Sequence, residues 1–169
     1  VMELATDRLL LDRLSLGDAG FIHRLLNEPS FKAYVGDKGI RTLDDARQYL
    51  RDMVMAHYAA HCFGLCRVRL KADETPIGVC GLVKREQFAD PDLGFAFLCE
   101  QWSRGYAFEA SRAVLDLAAR DLDMSRILAM ADADNAASVR LLGKLGFRYT
   151  GMVTMAGDAD PVCQYVLEI

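Results

Sequence analysis

The stretch QWSRGYAFEA, residues 101–110, places a turn around Gly105 directly in front of a helical pattern. The first four N–H groups of a helix have no intrahelical partner, and the helix dipole adds positive potential there. Gly105 and Ala107 keep bulky side chains away from these amides, so a phosphate can approach several of them at once. A plain connection between a strand and a helix has the same spacing. Taken alone, the stretch leaves both interpretations open.

A second segment, ADADNAASVRLLGKLGF at residues 131–147, also leads from a strand into a helix. It continues the apolar run RILAMA, and Asn135 stands where the helix should begin. Gly146 stands where the helix should end, a common position for glycine. Arg140 and Lys144 are four residues apart, which places them on one face of this helix.

Hydrophobic periodicity predicts the remaining elements. Strands are predicted at residues 6–14, 63–70, 76–83, 92–98, 126–131, 148–155 and 163–169, and helices at residues 18–26, 42–57, 110–122 and 135–146. The stretch 27–40 is rich in turn-forming residues and should be a connection. This order predicts an α+β (layered α/β) fold. We expect a single domain over residues 1–169, with a mixed sheet of about seven strands flanked by about four helices.

The second predicted helix opens with Thr42-x-x-Asp45, which is close to a capping box. Its apolar stripe consists of Ala46, Tyr49, Leu50, Met53, Val54 and His57. His57 and His61 are four residues apart, but no carboxylate or cysteine completes a ligand set around them. We therefore expect a packed imidazole at His57 and no metal site.

Composition excludes several classes of protein. The net charge is −4 and the basic residues form no run, so a nucleic-acid partner is not expected. No apolar run reaches the ~20 residues that a membrane-spanning helix needs. The five cysteines, which lack C-x-x-C spacing, predict reduced thiols in the core of a cytoplasmic protein: Cys62, Cys66, Cys80, Cys99 and Cys163. Met2 is a candidate for the natural first residue, with Val1 as an addition.

The two segments together resemble the cofactor motifs of the GCN5-related N-acetyltransferases. WSRGYAFEA is similar to the W-G-K-G-Y-A-T-E-A form of their acyl-CoA pyrophosphate loop, and DNAASVRLLGKLGF to the D-N-x-x-S-x-R-x-L-E-K-x-G-F form of their second motif. The N-terminal TDRLLLDRL and the run IGVCGL resemble the branch of ribosomal-protein N-terminal acetyltransferases (RimJ/RimL type). The resemblance implies transfer of an acetyl group from acetyl-CoA to a primary amine in a ternary complex. A protein or peptide N-terminus is the favoured acceptor and a small-molecule amine is open; the alternative function is a non-catalytic acyl-CoA sensor.

The resemblance also implies where the cofactor lies. The fourth and fifth predicted strands, residues 92–98 and 126–131, should splay into a V-shaped cleft that holds pantetheine. Pantetheine would bond to the backbone at Phe97, Leu98 and Cys99, and the Leu98 amide would polarise the thioester carbonyl. Asn135 would bond the pantetheine arm, and Arg140 and Lys144 are either a 3′-phosphate site or a solvated face. The pyrophosphate would lie on the amides of the loop that starts at Trp102, namely those of Ser103, Arg104, Gly105, Tyr106 and Ala107.

The catalytic residues are less clearly marked. Many relatives carry a tyrosine acid where this chain has Leu142, so Ser138 is the candidate acid, with a helix-capping role as the alternative. An α-amine, with a pKa near ~7.8, is far easier to deprotonate at neutral pH than a lysine-type amine near ~10.4. Glu100 is the candidate base. Glu109 begins the polar stripe that also holds Arg112 and Asp116, and it should form surface pairs. Cys99 is expected to pack in the core rather than to carry an acetyl group. The family often dimerises, which leaves a homodimer open.

Overall fold

The computed structural model describes residues 3–169. Val1 and Met2, and with them the question of the natural first residue, lie outside the described residues. The described residues form a sheet of eight strands in the order β1-β2-β3-β4-β5-β6-β8-β7. The strands are β1 Leu4–Ala5, β2 Leu9–Arg13, β3 Leu65–Leu70, β4 Pro76–Val83, β5 Asp92–Phe97, β6 Arg126–Ala131, β7 Arg148–Thr154 and β8 Pro161–Glu168. Neighbouring strands are antiparallel except β5 and β6, which are parallel.

Six α-helices cover the two faces of the sheet. They are α1 Ala19–Leu26, α2 Pro29–Tyr34, α3 Leu43–Tyr49, α4 Ala56–His61, α5 Tyr106–Asp121 and α6 Ala136–Leu145. The capping box at the start of α3 is confirmed: the Asp45 amide donates to Thr42 Oγ1 at 3.0 Å and the Thr42 amide donates to Asp45 Oδ2 at 3.0 Å. Gly146 caps α6 with φ +95°. The predicted α+β class is therefore confirmed, with one more strand and more helical segments than expected.

Three local predictions were wrong. The first predicted strand, 6–14, is shortened to β2, and β1 before it was not predicted; Thr6 turns the chain between the two by donating its amide to the Leu9 carbonyl at 2.9 Å. The connection 27–40 contains α2, which starts at Pro29, a residue that favours the first position of a helix. A π-helical segment, Leu50–Met55, joins α3 to α4. Its wider turn leaves Met53 64% exposed instead of buried in the predicted stripe.

The sheet opens between β5 and β6. β5 pairs with β4 along its whole length, from Asp92↔Val83 to Phe97↔Gly78. Against β6, in contrast, the only residue pair in the described chain is Asp92↔Leu128. The predicted V-shaped splay is therefore present, with its apex at Asp92.

Two apolar clusters hold the sides of the splay in place. One packs α5 and α6 onto one face of the sheet, and the other packs α1, α3 and the π-helical segment onto the opposite face. Side chains alternate between the faces of β4, so Cys80 and Leu82 belong to the first cluster and Val79 to the second. Both walls of the cleft are thus anchored in packed core.

Candidate active site

Two cavities meet where β5 and β6 separate. The first has a volume of about 770 Å³ and lies between α2, the end of β5, the start of α5 and one face of α6. The second, of about 560 Å³, lies on the other side of β5, below the π-helical segment and beside the β7–β8 turn. Residues that line both are Phe31, Tyr34, Val35, Phe95, Ala96, Asn135 and Ser138.

The loop before α5 has a backbone shape that suits an anion. Ser103 and Gly105 have φ of +62° and +82°, both left-handed. Left-handed residues beside a helix start turn successive N–H groups into one concavity, and the dipole of the 16-residue α5 adds positive potential. The Trp102 indole anchors this loop by donating Nε1–H to the Phe97 carbonyl at 2.9 Å.

Most of the predicted cofactor residues line the first cavity. Those that do are Phe97, Trp102, Ser103, Gly105, Tyr106, Ala107, Asn135 and Ser138. Arg104 contributes no lining; its carbonyl instead accepts a hydrogen bond from Arg8 Nη1 at 2.9 Å. Cys99 is exposed beside Ser30, with Sγ and Oγ 3.0 Å apart, so the prediction of core packing was wrong for Cys99, as it was for the exposed Cys62.

The role predicted for the Leu98 amide is contradicted. That amide donates to the Ile77 carbonyl of β4 at 2.9 Å, and Leu98 is fully buried. Amide directions alternate along a strand. Since Leu98 bonds to β4, the amides of Phe95 and Phe97 point the other way, into the splay that β6 has left open.

Asn135 and Ser138 lie at the junction of the two cavities. Asn135 is the N-cap of α6, and its Oδ1 accepts a hydrogen bond from the Ser138 amide at 3.3 Å. The capping role that was open for Ser138 therefore belongs to Asn135. Within residues 3–169 the Ser138 hydroxyl and the Asn135 Nδ2 group make no hydrogen bond, so both can reach a ligand.

Glu100 does not reach either cavity. It lies on the turn Cys99–Gln101 and accepts a hydrogen bond from Arg24 Nη2 at 2.8 Å, with a side chain that is 57% exposed. Its proximity in sequence to the end of β5 did not bring it to the cleft, because the turn directs it toward α1. The geometry therefore argues against Glu100 as the base.

The far side of the first cavity carries two cations. Arg140 and Lys144 both line it, and neither forms an ion pair within the described part of the chain. Phe108 and Leu141 lie beside them. Leu142, at the position where the resemblance implied a tyrosine acid in many relatives, is fully buried in the core and has no access to the cleft.

Asp92 is an acid that the sequence patterns did not single out. Its side chain is almost fully buried at the apex of the splay and lines the second cavity, where Oδ2 accepts from Arg85 Nε at 2.8 Å. Burial raises the pKa of this carboxyl, and the Arg85 guanidinium only partly opposes the effect. The sequence signal that could have identified Asp92 is its position as the single charged residue of the otherwise apolar strand β5.

His57, which lines the second cavity, and Glu109 have structural roles. His57 accepts a hydrogen bond from the Lys84 amide at Nε2, and its Nδ1 lies 2.9 Å from the Phe63 carbonyl, so the expected packed imidazole is confirmed. Glu109 forms its ion pair with Arg8 at 2.8 Å, whereas Arg112 pairs with Asp116. Among residues 3–169 no group of three or more His, Cys, Asp or Glu side chains is arranged to hold a metal ion.

A family model described as "Acetyltransferase (GNAT) domain" matches residues 8–148. The chain therefore belongs to the GNAT family and is an acetyl-CoA-dependent N-acetyltransferase. A curated relative, the "Uncharacterized N-acetyltransferase p20" of Bacillus licheniformis, is 25% identical over 155 residues, which cover 89% of this chain and 84% of the relative.

Solved structures show the same fold at lower identity. An acetyltransferase from Agrobacterium tumefaciens str. C58 superposes with a TM-score of 0.84 at 21% identity, covering 100% of this chain and 95% of the other. A ribosomal-protein-S5-alanine acetyltransferase from Vibrio fischeri gives 0.80 at 17%, covering 99% and 97%. The aminoglycoside acetyltransferase AAC(6')-Ib, solved with coenzyme A, gives 0.76 at 19%, covering 95% and 94%.

No helix in residues 3–169 is both long and apolar enough to cross a membrane.

Proposed function

We propose that this enzyme transfers the acetyl group of acetyl-CoA directly to a primary amine, with both substrates bound in the splay between β5 and β6. The observation that carries this proposal is the junction of the two cavities at Asn135 and Ser138, beside the outward-facing amides of β5. A donor in the first cavity and an amine in the second would meet there without a covalent enzyme intermediate.

The donor would be held mainly by backbone. The amides from Ser103 to Ala107 would receive the pyrophosphate, and the left-handed turn at Gly105 suits this task. Arg140 and Lys144 would hold the 3′-phosphate at the far end of the cavity. Pantetheine would run along β5, where β6 no longer pairs, with the Asn135 side-chain amide donating to it.

The Phe97 amide is the donor that would polarise the thioester carbonyl. It replaces the Leu98 amide in this role because it points into the splay and its own carbonyl is already engaged by Trp102. A fixed N–H aimed at a developing oxyanion needs no reorganisation during the reaction, which is why such donors are effective.

Asp92 is our candidate for the group that accepts the proton of the amine, through a chain of ordered waters, because it lies about 16 Å from Phe97 along β5. Acetyl-CoA supplies the activated acyl group, so the residues of this chain need only deprotonate the amine and assist the leaving thiolate. The raised pKa of Asp92 makes it a stronger base than an exposed carboxylate. Arg85 fixes its orientation.

Ser138 would protonate or hydrogen-bond the departing CoA thiolate. Its hydroxyl is free among the described residues and lies on the wall that the two cavities share. A CoA thiol has a pKa near ~8.5, so a weak acid such as a serine hydroxyl is sufficient.

We favour a protein or peptide N-terminus as the acceptor. The second cavity is flanked by the 27–40 segment and the β7–β8 turn, and its floor is apolar, with Ile22, Val54 and Val79 among its residues. An apolar floor suits the side chain of a terminal residue better than a polycationic aminoglycoside. Asp158, in the turn between β7 and β8, lines the cavity and could attract the positive charge of an amine, whereas Asp37 and Asp44 pair with Arg41 and Arg47.

We propose that a single acyltransferase domain spans residues 1–169. We also propose that the protein is cytoplasmic, and its five free cysteines support this location. Oligomeric state remains a prediction. A non-catalytic acyl-CoA sensor is the second candidate function, because the buried Leu142 stands where the resemblance implies a tyrosine acid in many relatives.

Calorimetric titration with acetyl-CoA, followed by a screen of peptides and small amines, tests the proposal. We expect micromolar or tighter binding, about −8 kcal/mol or better, and release of free CoA with at least one peptide. Binding without turnover of any amine would favour the sensor. Absence of binding would contradict both functions.

A further inference from the structure

A hydrogen-bond network joins the turn before β2 to the first turn of α5. The Glu109 carboxylate accepts from Thr6 Oγ1 at 2.6 Å, from the Arg8 amide at 3.1 Å and from Arg8 Nε at 2.8 Å. Burial by itself raises the pKa of Glu109, but these hydrogen bonds outweigh it and hold the pKa below its ordinary value. Glu109 is therefore a charged group that carries three hydrogen bonds at the start of α5.

The same arginine also holds the loop before α5. Arg8 Nη1 donates to the Arg104 carbonyl at 2.9 Å, and its guanidinium carbon lies 4.5 Å from the centre of the Tyr106 ring. Arg8 thus contacts the residues on both sides of Gly105. A Cβ added at Gly105 would lie 3.3 Å from Arg8 Nη2, so the guanidinium is packed directly against the turn.

This loop needs support from outside. Ser103 occupies the left-handed region that only glycine adopts readily, and such conformations persist where the surroundings determine them. Arg8 makes the contacts from the N-terminal side of the chain, 96 positions away from Arg104. Arg8 does not line the first cavity, so any effect it has on the donor acts through the loop.

Arg8 has a second effect on this loop, because it pairs with the negative charge of Glu109. A carboxylate in the first turn of α5 competes with a bound anion for the positive potential of the helix N-terminus. Arg8 neutralises that carboxylate at contact distance. Without Arg8, an unpaired negative charge would remain one turn from the amides proposed to bind pyrophosphate.

We propose that Arg8 is a positioning residue for acetyl-CoA: it holds the turn at Gly105 in its anion-binding shape and cancels the charge of Glu109. This inference rests on the proposed function, since it requires the loop to bind the pyrophosphate. The residue directly before β2, which is remote from both cofactor motifs in sequence, would thus take part in recognition of the acetyl donor.

Two acetyl donors separate this role from a general structural one. S-acetylpantetheine lacks the pyrophosphate, so its use should not depend on the loop. For Arg8→Ala we expect KM for acetyl-CoA to rise about tenfold, a loss of ~1.4 kcal/mol, with kcat and the kcat/KM for S-acetylpantetheine unchanged. Arg8→Lys should lie between Arg8→Ala and the wild type, because an ammonium keeps the charge but cannot make both bonds. Arg126→Ala, which removes an exposed ion pair with Glu168 outside both cavities, is the matched control and should change neither donor.

A double substitution tests the charge argument. Arg8→Ala/Glu109→Gln removes the unpaired carboxylate and should recover part of the acetyl-CoA affinity that Arg8→Ala loses. Equal losses with both donors, or no recovery in the double variant, would overturn the inference. If Arg8→Ala does not fold, Arg8→Lys and Glu109→Gln carry the same comparison of donors. Failure of the wild-type protein to bind acetyl-CoA would instead overturn the proposed function, and this inference with it.

Discussion

The first cavity takes most of its recognition groups from two short stretches, 97–107 and 135–144, whereas the second collects side chains from helices, strands and turns spread over the chain. The first cavity would bind its ligand largely through the backbone amides of residues 97–107. The second cavity would bind through the shape and charge of side chains such as Asp92, Tyr49 and Val79. A site that binds through backbone amides tolerates changes of side chain and shows a recognisable glycine pattern in the sequence. A cavity that binds through dispersed side chains shows no such sequence pattern. The two halves of one active site therefore differ in how far they can be identified from sequence.

The sharpest way to break the first cavity is Gly105→Val. A β-branched residue does not tolerate φ of +82°, so the loop amides must move. We expect the Kd for acetyl-CoA to rise at least about 100-fold, or ~2.7 kcal/mol, measured by calorimetry. Gly39→Val, at φ +73° and at a residue that itself lines neither cavity, carries a similar backbone penalty and should bind acetyl-CoA normally. Equal weakening in both variants would assign the effect to stability rather than to the loop.

The corresponding change in the second cavity is Asp92→Asn. We expect kcat to fall about 100-fold or more, as for loss of a general base, with the Kd for acetyl-CoA unchanged. A base works only when ionised, so wild-type turnover should decline as the pH falls through the raised pKa of Asp92, which lies above the ordinary 3.8. The asparagine variant should lack this acidic limb in its pH profile.

Asp158→Asn is the control for Asp92→Asn, because Asp158 lines the same cavity in the turn between β7 and β8. It should retain the acidic limb and most of the turnover. If Asp92→Asn turns over at the wild-type rate, the proton of the amine goes directly to water and Asp92 serves only to pair with Arg85.

Ser138→Ala tests the junction of the two cavities. We expect little change in stability, because the hydroxyl makes no hydrogen bond within residues 3–169. We expect kcat to fall about tenfold, less than the ~10²–10⁴-fold typical of general acids, because a thiolate with a pKa near ~8.5 leaves readily. Asn135→Ala should behave differently: loss of the α6 cap costs about 1 kcal/mol of stability, and acetyl-CoA should bind more weakly. Thermal unfolding and steady-state kinetics on both variants separate the acid from the cap.

The smallest expected effect is that of Ser103→Gly. Removing a side chain at φ +62° relieves about 1 kcal/mol of backbone strain, which should raise the Tm by roughly 2–4 °C for a chain of this size. Asp123→Gly, at φ +52° beyond the end of α5, should give a similar gain away from the site. Unchanged binding of acetyl-CoA by Ser103→Gly would show that the free and bound loops share this left-handed conformation; weaker binding would show that the serine itself contacts the donor.

Local chemistry made part of the site predictable. Gly105 and Gly146 mark two of the left-handed turns in the structure, and the capping box at Thr42 lies where its spacing indicated. These features depend on a few neighbouring residues. The prediction at Leu98 failed because amide direction reverses with every residue of a strand, and sequence does not show which amides face β4.

Glu100 and Asp92 show the same limit for side chains. Glu100 follows β5 directly but turns toward Arg24, while Asp92 reaches the second cavity because β6 pairs with β5 only at that residue. Arg8 stayed unnoticed for a related reason: its partners lie about a hundred positions away along the chain.

The order of elements, the family and the anion-binding loop follow from residues that interact with near neighbours in the chain, through helix periodicity, capping and glycine conformation. The splay, the free amide of Phe97, the burial that raises the pKa of Asp92 and the contact of Arg8 with Gly105 arose only when distant strands were brought into register. The residues of each segment determine its short-range backbone conformation. Desolvation and charge pairing depend on which segments become neighbours, and packing of the whole sheet decides that.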